Sequence, residues 1–434
     1  MRALRSLFVV VHRCFGLFIA AFLFVAGTTG ALISWDHELD EWLNPHLFEV
    51  ASRGAHLDAL ELAGRIEADD PRRRVVFLPF FHEEGRAAAV GVAGRVEEAS
   101  KRQYEIGHNQ VFIDTVTGRI VGQRDWGKVA LDREHLLPFL YKLHYSLHIP
   151  EIAGIDRWGI WLMGLVGIVW LFDCFVGFYL TLPQRRDASA QEPGRTYWQR
   201  FKPSWRIKRP ASSYRRNLDL HRAAGLWLWP LLAALAFTSI SMNLQFELVR
   251  PILQAVSSLT PSPFETRTPR SRHEPIEPKL GYREAIEAAR RQAGARGWTE
   301  PPGYAFYAVG FGVYAIGFFP LDHDPHGAGG MGVRTLYVDA VDGRILGEQV
   351  PWRGTAADVF MQLQFPIHSG RIAGIPGRML ISAMGIAVAL LCVTGVVIWA
   401  MKRARRRKAA PALLEPRPDR QVGSGIAART ENLG

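Results

Sequence analysis

Apolar positions in this chain gather into four long runs, residues 7–33, 158–182, 223–244 and 379–401. Each run reaches the roughly 20 helical residues needed to cross a hydrocarbon core, so each predicts a transmembrane helix. A long polar segment separates the first run from the second, and another separates the third from the fourth. Each segment carries a helix-periodic stretch (56–68 and 282–294), then a strand-like run (74–81 and 304–319). Each then carries a hairpin pattern of apolar strand, glycine-containing turn and apolar strand (111–122 and 336–347). That order predicts a small α+β module in each half. The Pro-, Ser- and Arg-rich linker 257–279 predicts no regular structure.

The chain is written twice. The first run of one half holds His12-Arg13-Cys14-Phe15-Gly16-Leu17, and that of the other half opens on His221-Arg222-Ala223-Ala224-Gly225-Leu226. The second runs are introduced by His148 and His368, each followed by Ile-Ala-Gly-Ile; in that register Gln364 stands opposite His144. The hairpins share Asp-x-x-x-Gly-Arg, at Asp114 and at Asp339. The expected architecture is an integral membrane protein, mainly α: a four-transmembrane-helix bundle from two tandem repeats, with two α+β modules outside the membrane. Helix 1 falls in 1–35, the first module and approach in 36–155, helix 2 in 156–183 and a basic loop in 184–217. Helix 3 falls in 218–247, the second module in 248–366, the approach and helix 4 in 367–402, and a basic tail in 403–434.

The formal charge of +11 is concentrated beside the apolar runs. Arg2 and Arg5 precede the first. The loop between the second and third holds Arg185, Arg186, Arg195, Arg200, Lys202, Arg206, Lys208, Arg209, Arg215 and Arg216 against Asp187 and Glu192, and Lys402–Lys408 follow the fourth. By the positive-inside rule these segments and both termini are cytoplasmic, which puts the modules in the periplasm of a bacterial inner membrane. Basic runs at span ends serve topology rather than nucleic acid. The first run is about twice a signal-peptide core, so it predicts an uncleaved anchor. Cys14, Cys174 and Cys392 all lie inside runs, which excludes a disulfide framework in the modules. No Cys-x-x-Cys-His occurs, so any haem is held non-covalently.

Histidine is costly in a bilayer and persists there for a reason such as a metal, a proton or a partner. His12 and His221 lie at one level, and His148 and His368 at the other, separated by most of the bilayer. The expected pairs are His12 with His221 and His148 with His368, each able to supply the axial ligands of haem iron from facing helices. His144, one turn before His148, is an alternative or a support. Gly16 and Gly225 share a helical face with His12 and His221 and leave room for a flat macrocycle. Arg13, Arg222 and Arg371 are placed for propionates. Asp173, deep in the second run, could hold a ligand imidazole, relay a proton or bond a neighbouring helix. Interfacial, purely structural histidines are the alternative. Asp322, His323, Asp324 and His326 form a loop that could bind a divalent ion or stay solvated, and 82–85 reads as a turn. Walker A, His-Glu-x-x-His and Gly-x-Ser-x-Gly motifs are absent, which disfavours nucleotide binding and hydrolysis.

The paired His-Arg-x-x-Gly-Leu motifs, Ile367-His368-Ser369-Gly370-Arg371-Ile372-Ala373-Gly374, the Asp-x-x-x-Gly-Arg hairpins and the run from Asp173 to Pro183 resemble the PepSY-associated transmembrane family. The resemblance covers roughly residues 5–405. It implies PepSY-like periplasmic modules, one or two haem b groups, and a role like that of ferric-siderophore reductases. The donor would be a cytoplasmic reduced flavin, an NAD(P)H-linked protein or a quinol. The acceptor would be a ferric siderophore or another periplasmic group. PepSY modules also imply an alternative: membrane-anchored binding or regulation of a peptidase or other partner, without haem. A third possibility is a transporter with a proton relay through Asp173 and the histidines.

Overall fold

The chain describes its two halves with nearly the same succession of elements. In the computed structural model residues 2–184, 196–271, 274–320 and 332–412 are described. Arg185, Arg186, Asp187, Glu192 and Arg195, and the loop with Asp322, His323, Asp324 and His326, lie outside them. The first half runs α1 (Arg2–Ile33), α2 (Asp36–Leu43), α3 (Pro45–Phe48), α4 (Ala59–Asp69), β1 (Arg73–Pro79), β2 (Ala87–Gly94), β3 (Gln110–Asp114), β4 (Ile120–Arg124), α5 (Arg133–Ser146) and α6 (Trp158–Thr181). After the short α7 (Tyr197–Phe201) come α8 (Ser213–Trp227), α9 (Trp229–Asn243), α10 (Arg250–Val256), α11 (Pro263–Thr266) and α12 (Tyr282–Ala295). The second half then adds β5 (Pro302–Ala308), β6 (Val313–Phe318), β7 (Arg334–Asp339), β8 (Ile345–Gln349), α13 (Ala356–Ser369) and α14 (Gly374–Ala412).

Among the described residues, Ala3–Ile33, Trp158–Thr181 and Arg371–Arg407 are long and apolar enough to cross a membrane. The expected third span is not one straight helix. α8 and α9 meet at 69°, and together they would make a fourth span. Pro230 explains the break: it sits in the first turn of α9, has no N–H to give, and its ring excludes a continuous preceding turn. Ile19 and Leu23 of α1, Val166 of α6, Leu232 of α9, and Met384 and Val388 of α14 form one buried apolar cluster. α1 and α14 cross most closely at glycines. A Cβ on Gly27 would stand 2.6 Å from the Gly385 carbonyl oxygen, and one on Gly385 would stand 2.4 Å from that of Gly27. Small residues of this kind let membrane helices approach backbone to backbone.

Each half contributes four consecutive strands. They join in one eight-stranded sheet, ordered β4-β3-β2-β1-β5-β6-β7-β8. The halves meet where β1 pairs antiparallel with β5, Phe77 opposite Phe306 and Leu78 opposite Ala305. α4 covers one half of a face through Leu62 and Ile66 against Val75, Leu78 and Val90. α12 covers the other through Ala285 and Ala289 against Tyr307, Ile316 and Leu336. Leu60, Phe80 and Tyr282 pack against both clusters, and the Tyr282 hydroxyl donates to the Val75 carbonyl at 3.1 Å. Among the described residues the linker is irregular apart from α11.

Candidate functional site

The residues that carry chemistry sit at two levels along α1. At the first, the rings of His12 (α1) and His221 (α8) stand 6.2 Å apart, centre to centre. His12 Nδ1 lies 2.9 Å from the Asp173 carboxylate on α6, and His221 Nδ1 lies 3.0 Å from the Thr394 hydroxyl on α14. Glycine makes room for each ring: a Cβ on Gly177 would stand 3.4 Å from His12, and one on Gly395 would stand 3.3 Å from His221.

At the second level the structure changes the expected pairing. The ring facing His368 of α13 belongs to His144 of α5, again at 6.2 Å. His144 Nδ1 lies 3.0 Å from the Ala26 carbonyl oxygen and 3.1 Å from the Thr29 hydroxyl, both on α1. His368 Nδ1 lies 2.9 Å from the Thr238 hydroxyl on α9. His148 does not face His368. It lies past the end of α5 in a left-handed conformation, φ 53°, and its Nε2 donates to the Phe139 carbonyl at 2.9 Å while the ring stacks on Phe139. His148 closes the helix end on itself. The physical reason is that α5 and α13 are helices in their own right, and each ends before the Ile-Ala-Gly-Ile motif that set the sequence register. Gln364, which that register places opposite His144, is buried and donates to the Phe360 carbonyl.

The threonines were missed, yet a signal for two of them existed. Thr29 follows His12 at the same spacing at which Thr238 follows His221. The duplication therefore prepares a hydroxyl for each second-level histidine. Along α1, His12 and Thr29 are roughly 25 Å apart at about 1.5 Å per residue.

A cavity of about 640 Å³ opens at the first level. His12, His221, Asp173, Gly16 and Gly225 line it, and Arg13, Arg222, Lys402, Arg403 and Arg406 add cationic groups. A Cβ on Gly225 would meet nothing within 4 Å, and one on Gly16 only Asp173, at 3.9 Å. Arg13 is exposed, while Arg222 is bonded to Asp219 at 2.8 Å. Arg371 lies elsewhere, 3.8 Å from Asp36. Of the three arginines expected at propionates, the structure brings two to this cavity.

These donors fit a haem. A metal ion bound between two opposed imidazoles at about 2.0–2.1 Å from each nitrogen holds the ring centres roughly 6.3 Å apart. Both observed separations are 6.2 Å. In all four residues Nδ1 is anchored, as a metal-ligating imidazole requires of its remote nitrogen, and Nε2 has no hydrogen-bond partner among the described residues. The cavity volume is in the range of cofactor clefts. Among the described residues no cluster of three His, Cys, Asp or Glu side chains could hold a bare ion.

Outside the bundle, His82 stands 5.5 Å from His56, with its Nδ1 buried and unbonded. Burial first, then the nearby His56, push its pKa down.

The two ring pairs, the glycine-lined cavity and the shared sheet define a membrane protein built around a repeated histidine site. The family model for the PepSY-associated TM region matches residues 9–402, and the chain belongs to this family. No curated protein matches it.

Proposed function

We propose that this chain is a transmembrane electron carrier that binds haem b at two levels. His12 and His221 would be the ligands at the basic end, and His144 and His368 the ligands at the sheet end. When bound, haem supplies one-electron redox chemistry. The observation that carries the reading is the equal 6.2 Å ring separation at both levels with all four Nδ1 atoms anchored. The chain's own part is to orient the rings. Asp173, Thr394, Thr29 and Thr238 hold the imidazoles, the glycines keep the cavity open, and Arg13 and Arg222 offset propionate charge.

In this reading the basic segments face the cytoplasm of a bacterium and the sheet faces the periplasm. A reduced flavin, a nicotinamide-linked donor or a quinol would reduce the basic end. A ferric chelate, such as a siderophore complex, would accept the electron at the sheet end, because hard oxygen ligands hold Fe(III) better than Fe(II). The test is reduction of ferric chelates by proteoliposomes carrying a reductant on the basic side. His144→Ala and His368→Ala should each abolish reduction; full activity in both would overturn the reading. The position of β4 and β8 at the two ends of the sheet, among the described residues, favours a second reading, in which the sheet binds an extended peptide and no haem is present.

A further inference from the structure

The two levels are alike in ring spacing and unlike in what holds the rings. Four remote nitrogens are anchored, but only one of them meets a carboxylate. His12 Nδ1 faces Asp173 at 2.9 Å, whereas His221 meets the Thr394 hydroxyl, His368 the Thr238 hydroxyl, and His144 a backbone carbonyl and the Thr29 hydroxyl. The repeat therefore supplies hydroxyls almost throughout and breaks its pattern at one position. Asp173 is 7% exposed and has no other hydrogen-bond partner among the described residues, so its field is aimed at one imidazole.

A carboxylate is a stronger acceptor than a hydroxyl or an amide carbonyl. It draws the Nδ1 proton, makes the opposite nitrogen a better donor to a metal and favours the more positive, oxidised state of that metal. A negative charge in a low-dielectric interior acts in the same direction; the cations around the cavity act the other way but more weakly, because Arg13, Lys402, Arg403 and Arg406 are exposed to solvent and Arg222 is paired with Asp219. Hydroxyl and carbonyl partners do this less.

We infer that Asp173 is a positioning and tuning residue that makes the His12/His221 level the lower-potential centre, so that a single electron runs downhill toward His144/His368. This rests on the proposed haem reading. The exchange is balanced as one electron lost at the first level and one gained at the second, with the donor and acceptor classes named above at the ends. No proton need cross.

The experiment is a spectroelectrochemical titration of the full-length protein in detergent, with haem counted in the same sample. The wild type should show two one-electron waves. Asp173→Asn, which keeps the shape and removes the charge, should move the lower wave upward, leave the upper wave in place and narrow the gap. Where Asp173→Asn holds less haem, Thr394→Asp reads the same effect from the opposite ring and should push the lower wave further down. A haem-loaded Asp173→Asn or Thr394→Asp protein with an unmoved lower wave, or with the shift in the upper wave, would overturn this inference alone. A wild-type protein without haem would overturn the proposed function itself.

Discussion

At the scale of single residues, the hairpin aspartates show how the repeated motif works. Asp114 accepts from the Val116 N–H at 3.0 Å, from the Thr117 hydroxyl at 2.7 Å and from the Ser52 hydroxyl at 2.6 Å. Asp339 accepts from the Val341 N–H at 2.7 Å and pairs with Arg267. Burial alone would raise both carboxyls, but these donors outweigh it and hold both below the ordinary aspartate value of 3.8. A carboxyl depressed in the fold adds stability at neutral pH that is lost as pH falls through the ordinary value toward the depressed one. The detergent-solubilised protein should therefore lose melting temperature on acidification below about pH 4, and Asp114→Asn should flatten that fall. An equal acid loss in the variant would refute the assignment. At neutral pH Asp114→Ala should cost about 1–3 kcal/mol, because it removes a buried carboxylate that accepts from Val116, Thr117 and Ser52. His82 works on another window. Its lowered pKa means that the fold loses stability as pH drops below the ordinary histidine value of 6.5; burial lowers His108 in the same way, so His82→Phe should reduce that fall in melting temperature and leave the His108 part in place.

Elements were legible in proportion to how local their cause is. The long apolar runs, the helices α4 and α12, and the hairpins with Gly118 at φ 71° and Gly343 at φ 76° follow from patterns within a few residues. β2 was not legible, because Ala87–Gly94 is alanine and glycine around Val90 and Val92, with little of the branched composition that marks a strand. α5 and α13 were hidden by internal prolines, Pro138 and Pro366, and by mixed polarity. Missing those helices is what transferred the second-level pairing to His148. Two tests belong here. Arg124 of β4 forms a two-pronged buried pair with Asp40 of α2, at 2.9 and 2.6 Å, and removing one partner alone should cost about 3–5 kcal/mol in a denaturation midpoint. Gly385→Val puts side-chain atoms against the Gly27 carbonyl and should destabilise the α1–α14 crossing by about 1–3 kcal/mol; an unchanged melt would contradict that packing.

At the scale of the whole molecule, duplication explains the architecture. Each half brings a histidine and a threonine at fixed spacing, on α1 in the first half and on the bent pair α8 and α9 in the second, and each ring pair takes one histidine from each half. His12 needs His221, His144 needs His368, and β1 finds its free edge covered by β5. The tandem motifs announced the repetition and put His12 with His221, but the joined sheet and the His144–His368 pair arise between residues far apart in sequence, where pattern has no reach. The central claim is that these crossed pairs are two haem sites. The most direct test is a pyridine haemochrome count on purified protein, with low-temperature electron paramagnetic resonance of the oxidised form, for the wild type, His144→Ala and His148→Ala. The account predicts two b-type, low-spin, bis-imidazole haems in the wild type, two in His148→Ala and one in His144→Ala. A wild type without haem after expression with ample haem supply, or a His144→Ala protein that keeps both, would contradict it.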